Sequence, residues 1–246
     1  MCSQSVKELI KPPLRKASAK VGTLNETAKS FSNFFQKMKK KEKKRNIYQL
    51  NLGVFNKKRK KNRTFALIMK KEEISPVYHR DAIELVTVAV EYCTFLEKTA
   101  EKTRIEFVDT TTKLLPLLYL KAALLPKYEI LDEEFFTTDF VTEEEYNIVR
   151  ANICNILGDK DDFLDVFMED MKYSESPILT TISENLADIY QEIKNFALSY
   201  KNAADEEQMM NALADIKDNF QYSWGQKLVN VQRALHEVRY AEDDDF

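Results

Sequence analysis

The chain has 246 residues, 31% of them charged, with only four Gly, six Pro and three Cys. So few turn formers speak against an all-β fold, and three cysteines at this spacing build neither a disulfide framework nor a zinc site. The formal net charge of −3 hides a polarity: residues 1–68 carry 19 Lys and Arg against 3 acidic residues, and residues 69–246 carry 18 against 37.

The basic segment comes first. Lys39-Lys40-Lys41 and Lys57-Lys58-Arg59-Lys60-Lys61 are runs of like charge that resist compaction. Phe31, Phe34, Phe35, Ile47 and Leu50 between them keep no sustained period, although a short helix near residues 26–41 fits. Three readings stand: a nucleic-acid-binding arm, a targeting leader, or sequence translated upstream of a start at Met69. The third is favoured, because Lys, Asn, Phe and Ile are what AT-rich noncoding DNA encodes. The expected division is a disordered basic leader over 1–75, a helical domain over 76–240 and an acidic tail over 241–246. The first 30 residues hold no apolar stretch of export-signal length, and the most apolar run, residues 114–125, falls short of the roughly 20 a membrane helix needs. A cytoplasmic protein with no membrane partner is expected.

The domain reads as successive helices. Ser75-Pro76 is a helix-start signal. Over residues 80–102, Ala82, Leu85, Val86, Ala89, Cys93, Leu96 and Ala100 recur at steps of three and four, the stripe of an amphipathic helix. Residues 104–125 carry leucines on nearly every side of their second half, which predicts a central helix buried all round, kinked or broken at Pro116. Residues 127–141 form the longest connector, expected to lie along the bundle. Thr142-Glu143-Glu144-Glu145 spells a capping box before the stripe Tyr146, Val149, Ile153, Leu157, and Gly158 is the natural stop. A shorter helix is expected over 162–171. Ser176-Pro177 opens the next, with the stripe Ile178, Ile182, Leu186, Ile189, Ile193, Phe196, Tyr200. A last helix runs from about 205 to 240, with Met209, Leu213, Ile216, Phe220, Trp224, Leu228, Val231, Leu235 and Val238 on one side. Gly225 lies inside it at a cost of about 1 kcal/mol relative to Ala, acceptable where a neighbour packs very close.

Chemistry-bearing motifs are few. Only His79 and His236 are present, with no Gly-x-Ser-x-Gly elbow, phosphate loop or dinucleotide fingerprint, so no catalytic residue and no cofactor is assigned. Neither His has a Glu three residues before it, and Asp159-Lys160-Asp161-Asp162 has Leu164 where a calcium loop needs Gly, so no metal site is assigned. The candidates that remain are for a ligand or a partner. Glu184, Asp188 and Glu192 stand at four-residue steps on one helix, and on the last helix Gln226, Asn230, Arg233 and Glu237 form a polar stripe with Lys227 beside it, adjoining Trp224 and Gly225. An Arg held by carboxylates next to an aromatic wall could bind a small polar ligand; an internal salt-bridge network is the alternative. Tyr119 and Lys121 interrupt the most apolar helix. A lysine there either lays its stem along apolar surface with a wet amine or, if buried, acts as a base.

Taken as a set, Leu115-Pro116-Leu117-Leu118-Tyr119-Leu120-Lys121-Ala122, Ile182-Ser183-Glu184-Asn185-Leu186-Ala187-Asp188-Ile189-Tyr190 and Trp224-Gly225-Gln226-Lys227-Leu228-Val229-Asn230 resemble motifs of the domain-of-unknown-function group 5063 of Bacteroidetes. The likeness covers residues 80–238 and no part of the leader. It implies a bacterial cytosolic helical domain without an assigned activity, and it transfers no catalytic residues.

The sequence thus predicts an irregular all-α bundle of five or six helices. Its expected function is non-enzymatic binding, to an unknown protein partner or to itself. A small-ligand sensor or enzyme with a polar pocket between the last two long helices is the alternative. Nucleic-acid binding would fall to the leader alone and is disfavoured by the acidic domain.

Overall fold

A computed structural model of the chain describes Asn33, Phe34, Gln36, Lys40 and residues 75–129, 138–165 and 178–241. The chain divides into two units, Met1–Lys71 and Glu72–Phe246. In the first, Asn33, Phe34, Gln36 and Lys40 are helical; the remainder of the helix expected over 26–41 lies outside the described residues, as do Ser176-Pro177 and the acidic tail beyond residue 241.

Among its described residues the second unit is helical apart from one antiparallel pair of strands, and four of its helices start from a side-chain cap. The Ser75 carbonyl accepts from Tyr78 N at 2.9 Å and closes a 3₁₀ turn, Pro76–Tyr78. Helix α1 (Arg80–Glu97) follows, burying Ala82, Leu85, Val86, Ala89, Cys93 and Leu96, the expected stripe. It stops short of residue 102: a 3₁₀ turn, Thr99–Glu101, buries Thr99 and leaves Ala100 exposed. Helices α2 (Arg104–Leu124) and α3 (Glu143–Leu157) each begin with a complete capping box, from Thr103 with Glu106 and from Thr142 with Glu145. Reciprocal caps of this kind satisfy two of the four orphan N–H groups at a helix start. Gly158 ends α3 at φ 58°, the left-handed conformation that favours glycine.

Two expectations fail in the next stretch. Residues 162–165 are a strand, β1 (Asp162–Asp165), paired antiparallel with β2 (Ile178–Thr181), so Ile178 belongs to a strand and not to the following helix. The cause is Asp161. Its buried carboxylate accepts from Ser183 N at 2.7 Å and Ser183 Oγ at 2.6 Å, and its carbonyl accepts from Ile182 N at 2.8 Å. An anion at a helix N-terminus is favourable, and here it ties the two strands together at their helix-proximal ends. Helix α4 (Ile182–Asn202) then starts from Thr181, whose hydroxyl accepts from Glu184 N.

Helix α4 is the centre of the bundle. It packs against α1, α3, α5 (Glu206–Asn219) and α6 (Gly225–Tyr240), and thirteen of its residues are buried. The central place expected for α2 is therefore α4's. Helix α2 buries Phe107, Val108, Leu115, Leu118 and Ala122 against α1 and α6, but Leu117, Leu120 and Leu124 on its far side are 40%, 50% and 52% exposed. Leucines placed all round a helix do not bury it all round when its neighbours lie on one side only.

Helix α2 runs through Pro116 without a break. Proline at 116 leaves the carbonyl four residues back without its helical donor. That carbonyl, on Thr112, accepts instead from the Gln232 side-chain amide of α6 at 3.2 Å. A side chain from the neighbouring helix thus replaces the missing backbone donor.

Polar groups are also spent inside the bundle. Lys194 of α4, buried, donates to Glu97 of α1 at 2.9 Å and to the Tyr190 hydroxyl at 2.8 Å, while Tyr190 donates to the same carboxylate at 3.0 Å. The connector after α2 lies along the bundle at both described ends: Tyr128 and Val141 are buried, and Phe140 N and Val141 N donate to the Asn195 side chain. Among the described residues no helix is long and apolar enough to cross a membrane.

Candidate functional site

The last two helices are one continuous rod with an irregular turn in it. Between α5 and α6, residues Phe220–Trp224 form a π-turn. Its signal is in the sequence: Ile216, Phe220, Trp224 and Leu228 follow one another by steps of four. On a regular α-helix each such step overshoots a full turn by about 40°, so three of them drift by about 120°. A π-turn takes up one extra residue and returns the stripe to the core. Trp224 is accordingly 0% exposed, and its indole N–H donates to the Ile216 carbonyl at 3.3 Å.

The same turn explains Gly225. A Cβ there would lie 2.2 Å from the Phe220 carbonyl oxygen and 2.9 Å from its ring. The close neighbour that a glycine implies is thus the helix's own preceding π-turn. With Gly225 beneath it, the Phe220 ring meets Trp224 at 4.9 Å and Tyr119 of α2, edge-on, at 5.0 Å.

The π-turn forms one wall of a groove of about 1070 Å³. Strand β2 lines it as well, and α4 contributes Glu184, Asn185 and Asp188. Asp188 accepts from the Tyr146 hydroxyl of α3 at 2.7 Å and from Lys227 Nζ at 2.6 Å. Burial and the Asp188 carboxylate push the Tyr146 phenol well above its ordinary value, so it stays a donor. Asp165 at the end of β1 accepts both Nδ2 contacts of Asn230, at 3.1 and 3.2 Å, which pins the hairpin to α6. The rim is apolar: Leu179 is 64% and Tyr222 81% exposed, with Val229 and Tyr119 beside them.

A second groove of about 590 Å³ lies along β1 and shares Asp165 and Asn230 with the first. Arg233 lines it together with Asp159, Asp162 and Glu237. A third, acidic recess holds Asp139, Glu192 and Asp215 next to the Asp188–Lys227 pair. Burial, and then Asp215, raise the Glu192 carboxyl above the usual range.

The predicted site residues therefore divide. Glu184, Asp188, Lys227, Asn230 and Tyr119 meet in one groove. Arg233 faces the neighbouring groove and makes no ion pair with Glu184 or Asp188; Lys227 takes that place. Trp224 is a core residue and not an aromatic wall, because the π-turn rotates it inward. Lys121 lies elsewhere: its amine pairs with Glu84 of α1 at 2.7 Å, and Glu84 also holds Arg80. The hydrogen bonds of Lys121 and then Arg80 hold the Glu84 carboxyl below its ordinary value. Missed altogether were Asp165, Tyr146 and the hairpin edge, which come from elements distant in sequence. Among the described residues no group of three or more His, Cys, Asp or Glu side chains is placed to hold a metal ion.

Comparison with known proteins adds ancestry. The sequence profile of the family described as Domain of unknown function (DUF5063) matches residues 76–241. No curated protein matches the chain. Among solved structures, the crystal structure of protein BF1032 from Bacteroides fragilis is similar, with 44% identity, a TM-score of 0.60, and 70% of this chain and 99% of that chain covered. The motifs of α2, α4 and the π-turn lie within the matched span, and the chain belongs to the DUF5063 family.

Proposed function

We propose that the helical domain, residues 76–240, is a non-enzymatic protein-binding module and that the groove between β2, α4 and the π-turn is its binding face. The observation that supports this most is the pairing of an exposed apolar rim, Leu179, Tyr222, Val229 and Tyr119, with a floor whose charges, Asp188 and Lys227, already neutralise each other. Catalysis by proton transfer or nucleophilic attack needs a reactive group with a partner base in reach. Binding needs large anchors and satisfied polar groups around them, which is what the groove offers. The cysteines Cys93 and Cys154 are not joined in a disulfide, which supports a reducing, cytoplasmic setting. The likeness to a Bacteroides fragilis protein supports a bacterial origin.

The experiment is a selection of phage-displayed peptides on the full chain, counter-screened on the Leu179→Asp, Tyr222→Ser double variant. Both side chains are exposed, so the variant keeps its fold. Enriched peptides that bind the wild type and not the variant support the reading; peptides indifferent to the variant, or none, refute it.

A small polar ligand in the β1 groove is the second reading. Arg233, which has no ion pair among the described residues, favours it. Thermal-shift screening of small carboxylates and phosphates against wild type and Arg233→Ala tests it, since specific binding raises apparent stability.

A further inference from the structure

We infer that the groove receives its partner as an extended strand added to the edge of β2 that faces away from β1, with a cationic side chain of that strand set against Glu184. This rests on the groove being a protein-binding face and names the form and chemistry of the partner.

The first support is the direction of the groove. Ile178, Leu179 and Thr180 are consecutive residues of β2, and all three line it. Successive residues of a strand point to opposite faces, so a groove touched by three in a row runs along the strand's edge and not across a face. Among the described residues β2 pairs with β1 alone, in the register Phe163↔Thr180 and Leu164↔Leu179.

The second support is the hydrogen-bond parity of the hairpin. Antiparallel pairs alternate between those that exchange backbone bonds and those that do not. Ile182 N donates to the Asp161 carbonyl, which makes that pair a bonded one. Two residues on, Phe163 and Thr180 are bonded, and Leu164 and Leu179 between them are not. The N–H and C=O of Leu179, which lines the groove, therefore point away from β1, and so does the N–H of Thr181. The Thr181 carbonyl is already taken by the Asn185 side chain at 2.8 Å. An added strand would find two donors and one acceptor in line. An open edge is a ready template for such pairing, and alternate side chains of the incoming strand carry its specificity.

The third support is charge. The groove is lined by Asp165, Glu184, Asp188 and one lysine. Asp188 is held by Lys227 and Asp165 by Asn230, whereas Glu184 is exposed and its carboxylate has no hydrogen-bonded or ionic partner among the described residues. The β1 edge is less suited, because Asp162 and Asp165 lie on that strand itself, and charges on an edge discourage pairing.

The test uses the full chain and a fluorescent hexapeptide alternating lysine and valine, read by anisotropy. A second peptide carries N-methyl groups on alternate amides, in each of the two registers, and a third has glutamate for lysine. The lysine peptide should bind. One of the two N-methylated forms should bind about tenfold more weakly, the loss of its strand-edge donors. Glu184→Gln should weaken the lysine peptide by about threefold, and the glutamate peptide should not bind. Leu179→Pro removes an edge donor that β1 does not use, and should act like N-methylation. Equal binding of both N-methylated forms and the parent overturns strand addition, as does failure of the lysine peptide to bind. Should peptides from the phage selection still need Leu179 and Tyr222 in either case, the binding face stands and only its mode is wrong.

Discussion

Replacing Gly225 with alanine separates two accounts of the last helix. In a regular exposed helix, Gly to Ala stabilises by about 1 kcal/mol. At the π-turn the added methyl would stand 2.2 Å from the Phe220 carbonyl oxygen. That atom is backbone and cannot swing aside, and the Phe220 ring, 2.9 Å away, is held by Trp224 and Tyr119. Overpacking of a fixed interior costs about 1 to 3 kcal/mol. With rigid backbone as the obstacle, the upper part of that range applies, a net loss of about 2 to 3 kcal/mol. For a domain of this size each kcal/mol shifts Tm by about 2 to 4 °C, so the expected fall is about 4 to 12 °C. Calorimetry of wild type and Gly225→Ala measures it. A Tm that rises by a few degrees would show a regular helix at 225 and refute the π-turn account, along with the groove wall built on it.

Gln232→Ala should cost about 1 to 2 kcal/mol in urea unfolding, since it strands the Thr112 carbonyl. Adding Pro116→Ala restores the helical donor, so most of that loss should vanish in the double variant. Lys194→Met leaves the largely buried Glu97 carboxylate with the Tyr190 hydroxyl but without its counter-ion and should cost about 3 kcal/mol; a further Glu97→Leu should recover most of it. Glu192 titrates above the usual carboxylate range in the folded state, so the folded state holds its proton more tightly than the unfolded chain. That preference is present at low pH and lost as pH rises through the folded value. Glu192→Gln should therefore raise Tm at pH 7, with the gain disappearing at pH 3, in paired thermal melts.

The helices were legible wherever a cap and a stripe agreed. Thr142 with Glu145, Gly158, and the stripes of α1 as far as Leu96 and of α4 from Ile182 onward stand as the residues imply. The hairpin was not, because Ser176-Pro177 and the apolar steps from Ile178 mimic a helix start, while the decisive contact, Asp161 to Ser183, spans 22 positions. The exposure of Leu117, Leu120 and Leu124 was illegible for a related reason. A leucine-rich helix announces that it is apolar, not how many neighbours it will have. At the site, Glu184, Asp188, Lys227 and Asn230 were readable from helical spacing, since α4 and α6 are antiparallel neighbours in the bundle. Arg233 was misplaced because the polar stripe of α6 runs past two adjoining grooves, and the π-turn ahead of it went unread. The steps of four from Ile216 to Leu228 carried that information, and counting the drift would have found it.

A protein seated in the groove between β2 and the π-turn would shield the backbone on both sides of it. Amide hydrogen exchange of the full chain, with and without a selected peptide at saturating concentration, tests it most directly. Slowed exchange at Ile178–Thr181 and at residues 220–229, with the remaining segments unchanged, is the predicted result. Protection confined to the exposed side of α2 around Leu117, Leu120 and Leu124, or no protection at all, would contradict it.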